Sequence, residues 1–110
     1  MTILTRTEEL LLLSVWRLQG EAYGLEVRRH MSDLLGRSMS VGAVYIPLER
    51  MVRKGFLITE ESEPTDKRGG RRKRFYTLSP KGKRALIDVR TVNDKAWSGL
   101  TRLAVARSES

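Results

Sequence analysis

The sequence predicts a mainly α (α+β) fold of 110 residues: three helices, a two-stranded β-hairpin and a long closing helix. Three observations carry that expectation. Apolar residues recur at helical spacing in three early segments, each closed by a glycine. Two short β-prone runs, "FLITEES" and "RFYTL", flank a polar stretch containing glycine and proline. A final run, "SPKGKRALIDVRTVNDKAWSGLTRLAVAR", opens with a serine–proline helix start and keeps 3–4 apolar spacing to its end.

The first helix follows Thr5 and Glu8, which stand in capping-box spacing. Leu10 to Leu13, Val15, Trp16 and Leu18 cover nearly its whole circumference, so it is expected to be buried on more than one side, with Leu11 and Leu12 against a second subunit and Trp16 in the core. The second helix, in "AYGLEVRRHMSDLLGRS", places Val27, Met31, Leu34 and Leu35 on its apolar stripe and stops at Gly36. His30 reads as a surface residue of this helix. The third helix, in "SVGAVYIPLERMVRKG", has Ser40 as N-cap, a stripe of Val44, Leu48, Met51 and Val52, and Gly55 as its stop. Pro47 has no N–H for the Ala43 carbonyl, so a kink or a loosely wound start is expected.

The hairpin comes next, and its loop is strongly basic. Residues 66–74 hold Lys67, Arg68, Arg71, Arg72, Lys73 and Arg74 against Asp66 alone. The closing helix begins with Ser79 as N-cap and Pro80 at the first position. Its apolar positions Ala85, Val89, Val92, Ala96 and Leu103, with Leu86, Trp97 and Leu100 beside them, suggest about 25 residues, or roughly 38 Å, more than the rest of the domain would cover. Val92, Ala96, Leu100 and Leu103 are therefore expected at a dimer interface. Residues 1–78 would form the DNA-binding domain and 79–107 the dimerisation helix, packed with the first helix as one unit.

Composition narrows the function. Lys and Arg number 21 against 13 Asp and Glu, a formal charge of +8, which favours a polyanionic partner. Cysteine is absent and His30 is the one histidine, with no carboxylate cluster to join, so thiolate chemistry and a metal centre have no basis. No cofactor, phosphate-binding loop or catalytic motif is evident, and an enzyme is not expected. Neither a secretory leader nor an apolar run of membrane-spanning length is read, which suggests a soluble cytoplasmic protein.

The two middle helices, joined by "GRSMS", have the spacing of a helix-turn-helix, and the basic hairpin after them has the place of a wing. In such a winged helix-turn-helix the second helix of the pair enters the DNA major groove by its N-terminal residues, here Ser40, Val41, Gly42, Ala43 and Tyr45, with Arg50 one turn on. Lys67, Arg68, Arg71, Arg72 and Lys73 would hold phosphates. Few of the helix residues can read a base by hydrogen bonding, so specificity would lean on apolar contact and DNA shape. An RNA-binding or protein-docking winged helix is the alternative.

"AYGLEV", "MSVGAVYIPLERMVRKGFL", "GGRRKRFYTLSPKG" and the long last helix, in this order over roughly residues 7–100, resemble the PadR family of winged-helix transcription regulators. The family often has His-Gly-Tyr where this chain has Tyr23-Gly24-Leu25, and a proline one place before Pro47. The resemblance implies a homodimeric repressor on an inverted-repeat operator in double-stranded DNA, with contacts swapped between N- and C-terminal helices. It also implies a small aromatic effector, for which Trp97 is the candidate contact, and DNA contacts at Tyr45, Arg71 and Arg72.

Overall fold

The computed structural model describes residues 3–62 and 73–100. Its elements run α1 (Arg6–Arg17), α2 (Gly24–Leu35), α3 (Val41–Arg53), β1 (Leu57–Glu61), β2 (Arg74–Leu78) and α4 (Pro80–Trp97). The order and type match the sequence expectation throughout.

Local signals start and stop these elements. Thr5 and Glu8 form the reciprocal capping box: the Glu8 N–H donates to Thr5 Oγ1 at 3.1 Å and the Thr5 N–H donates to Glu8 Oε1 at 2.8 Å. Ser40 caps α3 by accepting the Ala43 N–H, and Gly55, at φ 82°, ends it. There the Phe56 N–H reaches the Met51 carbonyl at 2.9 Å and the Gly55 N–H the Val52 carbonyl at 3.0 Å, the paired bonds of a glycine-terminated helix. Helix α3 runs through Pro47 as one element.

The core is a single cluster. Leu11, Leu12 and Val15 of α1, Val27 and Met31 of α2, and Val44, Leu48 and Met51 of α3 meet at its centre, with Phe56, Leu57, Tyr76 and Ala85 closing it from the hairpin and α4. Met39, in the connector between α2 and α3, is pinned twice: its N–H donates to Ser32 Oγ at 3.0 Å and its carbonyl accepts Arg28 Nε at 2.7 Å. The helix-turn-helix angle is thereby fixed by a buried side chain and satisfied backbone groups.

Polar groups tie the helices together as well. Ser14, fully buried, donates its one hydroxyl proton to the Leu10 carbonyl at 2.8 Å and so accepts from His30 Nδ1 at 2.7 Å. His30 thus joins α2 to α1 rather than facing solvent alone. Burial by itself would push the Glu8 carboxyl up, but the Thr5 backbone N–H and the Lys54 ammonium outweigh it and hold Glu8 below the usual carboxylate range. The Lys54–Glu8 pair, at 3.4 Å, fastens the end of α3 to the start of α1.

The hairpin is antiparallel with Leu57 opposite Leu78 and Glu61 opposite Arg74. Beyond the ladder, Ser62 and Lys73 exchange bonds, the Ser62 N–H to the Lys73 carbonyl and the Lys73 N–H to Ser62 Oγ. A short bridge, Tyr23 with Phe75, and the Tyr76 N–H donating to the Ala22 carbonyl at 2.8 Å lay the start of α2 along β2.

Several expectations are corrected. Leu11 and Leu12 are wholly buried within this chain's own core, so neither side chain can touch a second subunit. Trp16 is 44% exposed, because α1 turns it outward beside α4 rather than inward. Leu34 and Leu35 are exposed at the end of α2, where the helix has run past the core. Helix α4 has 18 residues, about 27 Å at the α-helical rise, and ends at Trp97. Ser98, at φ −53° and ψ 123°, and Gly99, at φ 82°, turn the chain out of the helix. Leu100 therefore follows the helix end, and Leu103 lies outside the described residues.

The approach of α4 to the α3–β1 junction depends on one glycine. A Cβ at Gly82 would sit 2.2 Å from the Phe56 carbonyl oxygen and 3.1 Å from Leu78 Cδ2. Gly82→Ala is expected to lower unfolding free energy by about 2–3 kcal/mol, as overpacking against backbone does. Gly42→Ala, whose Cβ would meet only Ile46 Cδ1 at 3.8 Å, is expected to raise it by about 0.5–1 kcal/mol through helix propensity. Urea unfolding of the two variants checks both signs.

Candidate nucleic-acid interface

Helix α3 turns Val44, Leu48 and Met51 inward, which leaves Gly42, Ile46, Arg50 and Arg53 along its outer face at helical spacing. Ser40, Val41, Gly42, Ala43, Tyr45 and Arg50, the residues expected to meet DNA, are all exposed. The Ser40 hydroxyl oxygen also caps the helix.

Tyr45 is 37% exposed, and its position comes from α2. A Cβ on Gly24 would collide with the Tyr45 hydroxyl oxygen and ring, so the ring rests directly on glycine backbone. One side of the ring packs on α2 while the other is open.

The base of the wing stands beside this helix. Arg74 of β2 donates to Glu49 Oε1 of α3, and the Tyr76 hydroxyl donates to the same oxygen at 3.1 Å. The recognition helix and the wing are therefore joined through one carboxylate. Lys73, one residue nearer the loop, holds its ammonium 4.4 Å from the Tyr23 ring centroid, and Tyr23 meets Phe75 edge-on at 5.7 Å. Tyr23, Leu25, Tyr45, Glu49, Lys73 and Arg74 line one shallow cleft between α2, α3 and β2. Lys73 is thus brought to the flank of α3. Lys67, Arg68, Arg71 and Arg72 lie outside the described residues.

Sequence reasoning missed Glu49, Gly24 and Tyr23. One signal pointed to Glu49: Tyr76 alternates inward on β2, and a buried tyrosine needs a partner for its hydroxyl. On the far side of the molecule, Trp97 is 53% exposed at the end of α4. Nearer the middle of that helix, a groove of about 490 Å³ between α1 and α4 is lined by Leu13, Trp16, Leu86 and Ile87, with Lys83 and Arg90 at its edges. Among the described residues no group of three His, Asp or Glu could hold a metal ion, and no helix is long and apolar enough to cross a membrane.

Burial, then the hydrogen bond and charge of Glu49, push the Tyr76 phenol up to about 12, against the weaker opposing pull of Arg74. The fold therefore favours the neutral phenol. Its contribution is complete below the ordinary tyrosine value near 10 and is lost as pH rises toward 12. Thermal unfolding across that window should show a steeper alkaline loss in the wild type than in Tyr76→Phe.

Comparison with known proteins places this arrangement. The transcriptional regulator PadR-like family model matches residues 12–88, from α1 into α4. Among solved structures, the transcriptional regulator TA0346 of Thermoplasma acidophilum is 25% identical, with 90% of this chain and 93% of that one covered and a TM-score of 0.68. RosR of H. salinarum is 25% identical over 96% and 92% of the two chains, with a TM-score of 0.64. A PadR family transcriptional regulator from Eggerthella lenta shares the fold at 21% identity, 86% and 80% coverage and a TM-score of 0.66. No curated protein matches the chain. With the family match spanning most of the chain, and a helix-turn-helix and wing that follow the same architecture, this protein belongs to the PadR-like family of DNA-binding transcriptional regulators, which are not enzymes.

Proposed function

We propose that this regulator is a homodimeric, sequence-specific repressor that reads an inverted-repeat operator and is released by a small aromatic effector. The observation that carries the DNA-reading part is the joining of α3 to strand β2, which follows the basic loop, through Glu49. Ser40, Val41, Gly42, Ala43, Tyr45 and Arg50 face the major groove in this reading, while Lys67, Arg68, Arg71, Arg72 and Lys73 hold phosphates.

Helix α4 supports the dimer. Every residue from 90 to 100 is exposed, Val92, Ala96 and Leu100 among them. A helix end without a packed face is marginal in water, so a second copy covering it gives the segment its stability. Leu13 and Trp16, both exposed on α1, replace Leu11 and Leu12 as that helix's interface residues. Two reading heads would then stand about 34 Å apart, one turn of DNA. An effector seated near Trp97 would tilt the paired helices and spoil that spacing. The operator reading places the protein in the cytoplasm with the chromosome.

Selection of bound duplexes from a random DNA library should enrich an inverted repeat with half-site centres about ten base pairs apart. Salt-sensitive binding without enrichment would leave only a general polyanion grip. Alanine at Arg71 or Arg72 should weaken binding to all duplexes alike and lower the salt slope by about one for each lost phosphate contact. Loss confined to the enriched duplex would mean that the wing reads sequence.

The effector is tested in Trp16→Phe, which leaves Trp97 as the one remaining tryptophan of two. A planar aromatic compound that quenches its emission should also lower operator affinity. Quenching without any change in affinity would refute release by an effector at this site.

A further inference from the structure

The outward line of α3 is made of four residues at helical spacing: Gly42, Ile46, Arg50 and Arg53. Ile46 stands nearly opposite Val44, Leu48 and Met51, the buried stripe, and is 62% exposed. Its Cδ1 lies 3.8 Å from the place a Cβ on Gly42 would take. The side chain therefore leans toward the helix N-terminus, over bare backbone. That is the end which a recognition helix presents to base edges.

Several polar groups around it also serve the fold. The Ser40 hydroxyl oxygen accepts the Ala43 N–H. Glu49 Oε1 is shared by Arg74 and Tyr76, and the Tyr45 ring rests on Gly24. An aliphatic side chain is left at the centre of the face, with Arg50 and Arg53 following it on the same line and Lys73 on the flank. Apolar chemistry ringed by cations fits a site whose floor is apolar and whose rim is anionic. In a DNA major groove the apolar group offered by the bases is the thymine 5-methyl, and the rim is phosphate.

We propose that Ile46 is a specificity-determining residue, and that it selects thymine in each operator half-site by packing on the 5-methyl group over the gap left by Gly42. The proposal rests on the assignment of α3 as the reading helix. Ile46 is exposed and stands outside the buried cluster, so its replacement is expected to leave the fold in place, and circular dichroism verifies that for each variant.

The experiment uses the duplex enriched from the random library. Each thymine is replaced in turn by deoxyuridine, which keeps base pairing and removes only the methyl. Affinity is followed by fluorescence anisotropy for the wild type and Ile46→Ala. Loss of one buried methyl contact should weaken wild-type binding about three- to fivefold at one position per half-site. The same replacement should be silent for Ile46→Ala, whose binding to the thymine duplex is already weaker by a similar factor. If the wild type binds the enriched duplex tightly and no deoxyuridine matters, or if one matters equally to both proteins, the proposal is overturned while the operator reading stands. If no duplex is enriched at all, the operator reading fails and takes the proposal with it.

Discussion

The hydroxyl of Ser79 is where the two halves of the molecule meet. It donates to the Gly55 carbonyl at 2.6 Å and accepts the Gly82 N–H at 3.0 Å, while the Ser79 N–H donates to the Phe56 carbonyl at 3.1 Å. One residue thereby caps α4, satisfies the chain just after α3 and closes the root of the hairpin, whose first pair is Leu57 with Leu78. Lys81 adds a bond to the Lys54 carbonyl at 2.9 Å. Gly82 makes the close approach possible, because its missing side chain is replaced by the Phe56 carbonyl oxygen. The wing, the recognition helix and the closing helix all leave from this junction, so their relative directions are set by it.

Much of the fold could be read from local signals, because those signals act locally. The Thr5–Glu8 capping box, Ser40 at the head of α3, Ser79 before Pro80 and the glycine stops at Gly36 and Gly55 each govern a few neighbouring backbone groups. The apolar stripe of α3 was equally legible, since a helix with one buried side shows its period directly. The last helix was misjudged when spacing was weighed above chain chemistry. Ala96, Leu100 and Leu103 continue a helical rhythm, but Ser98 and Gly99 are a helix stop, and the backbone obeys them. Leu34 and Leu35 failed for a related reason: periodicity shows which face is apolar and not how far the core extends beneath it.

The interface was legible only in part. Exposure of the N-terminal half of α3 followed from order and spacing. What positions it did not, since Glu49 is separated from Arg74 and Tyr76 by 25 and 27 residues, and each reads alone as an ordinary surface or strand residue. Gly24 and Gly82 show the same gap. A glycine whose value lies in what another element needs to approach has no local signature, and here those elements are the Tyr45 ring and the Phe56 carbonyl.

The cations of the interface are concentrated on the strand and loop side, whereas the first turns of α3 carry no charge. Val41 and Ile46 stand exposed, outside the buried cluster. In the proposed reading, grip and choice are carried by separate parts of the chain. After a gene duplication, a daughter copy could acquire new target genes through one or two codon changes in α3 while inheriting its general attraction to the chromosome intact. A fold divided in this way lends itself to a family whose members keep one architecture and diverge in what they regulate.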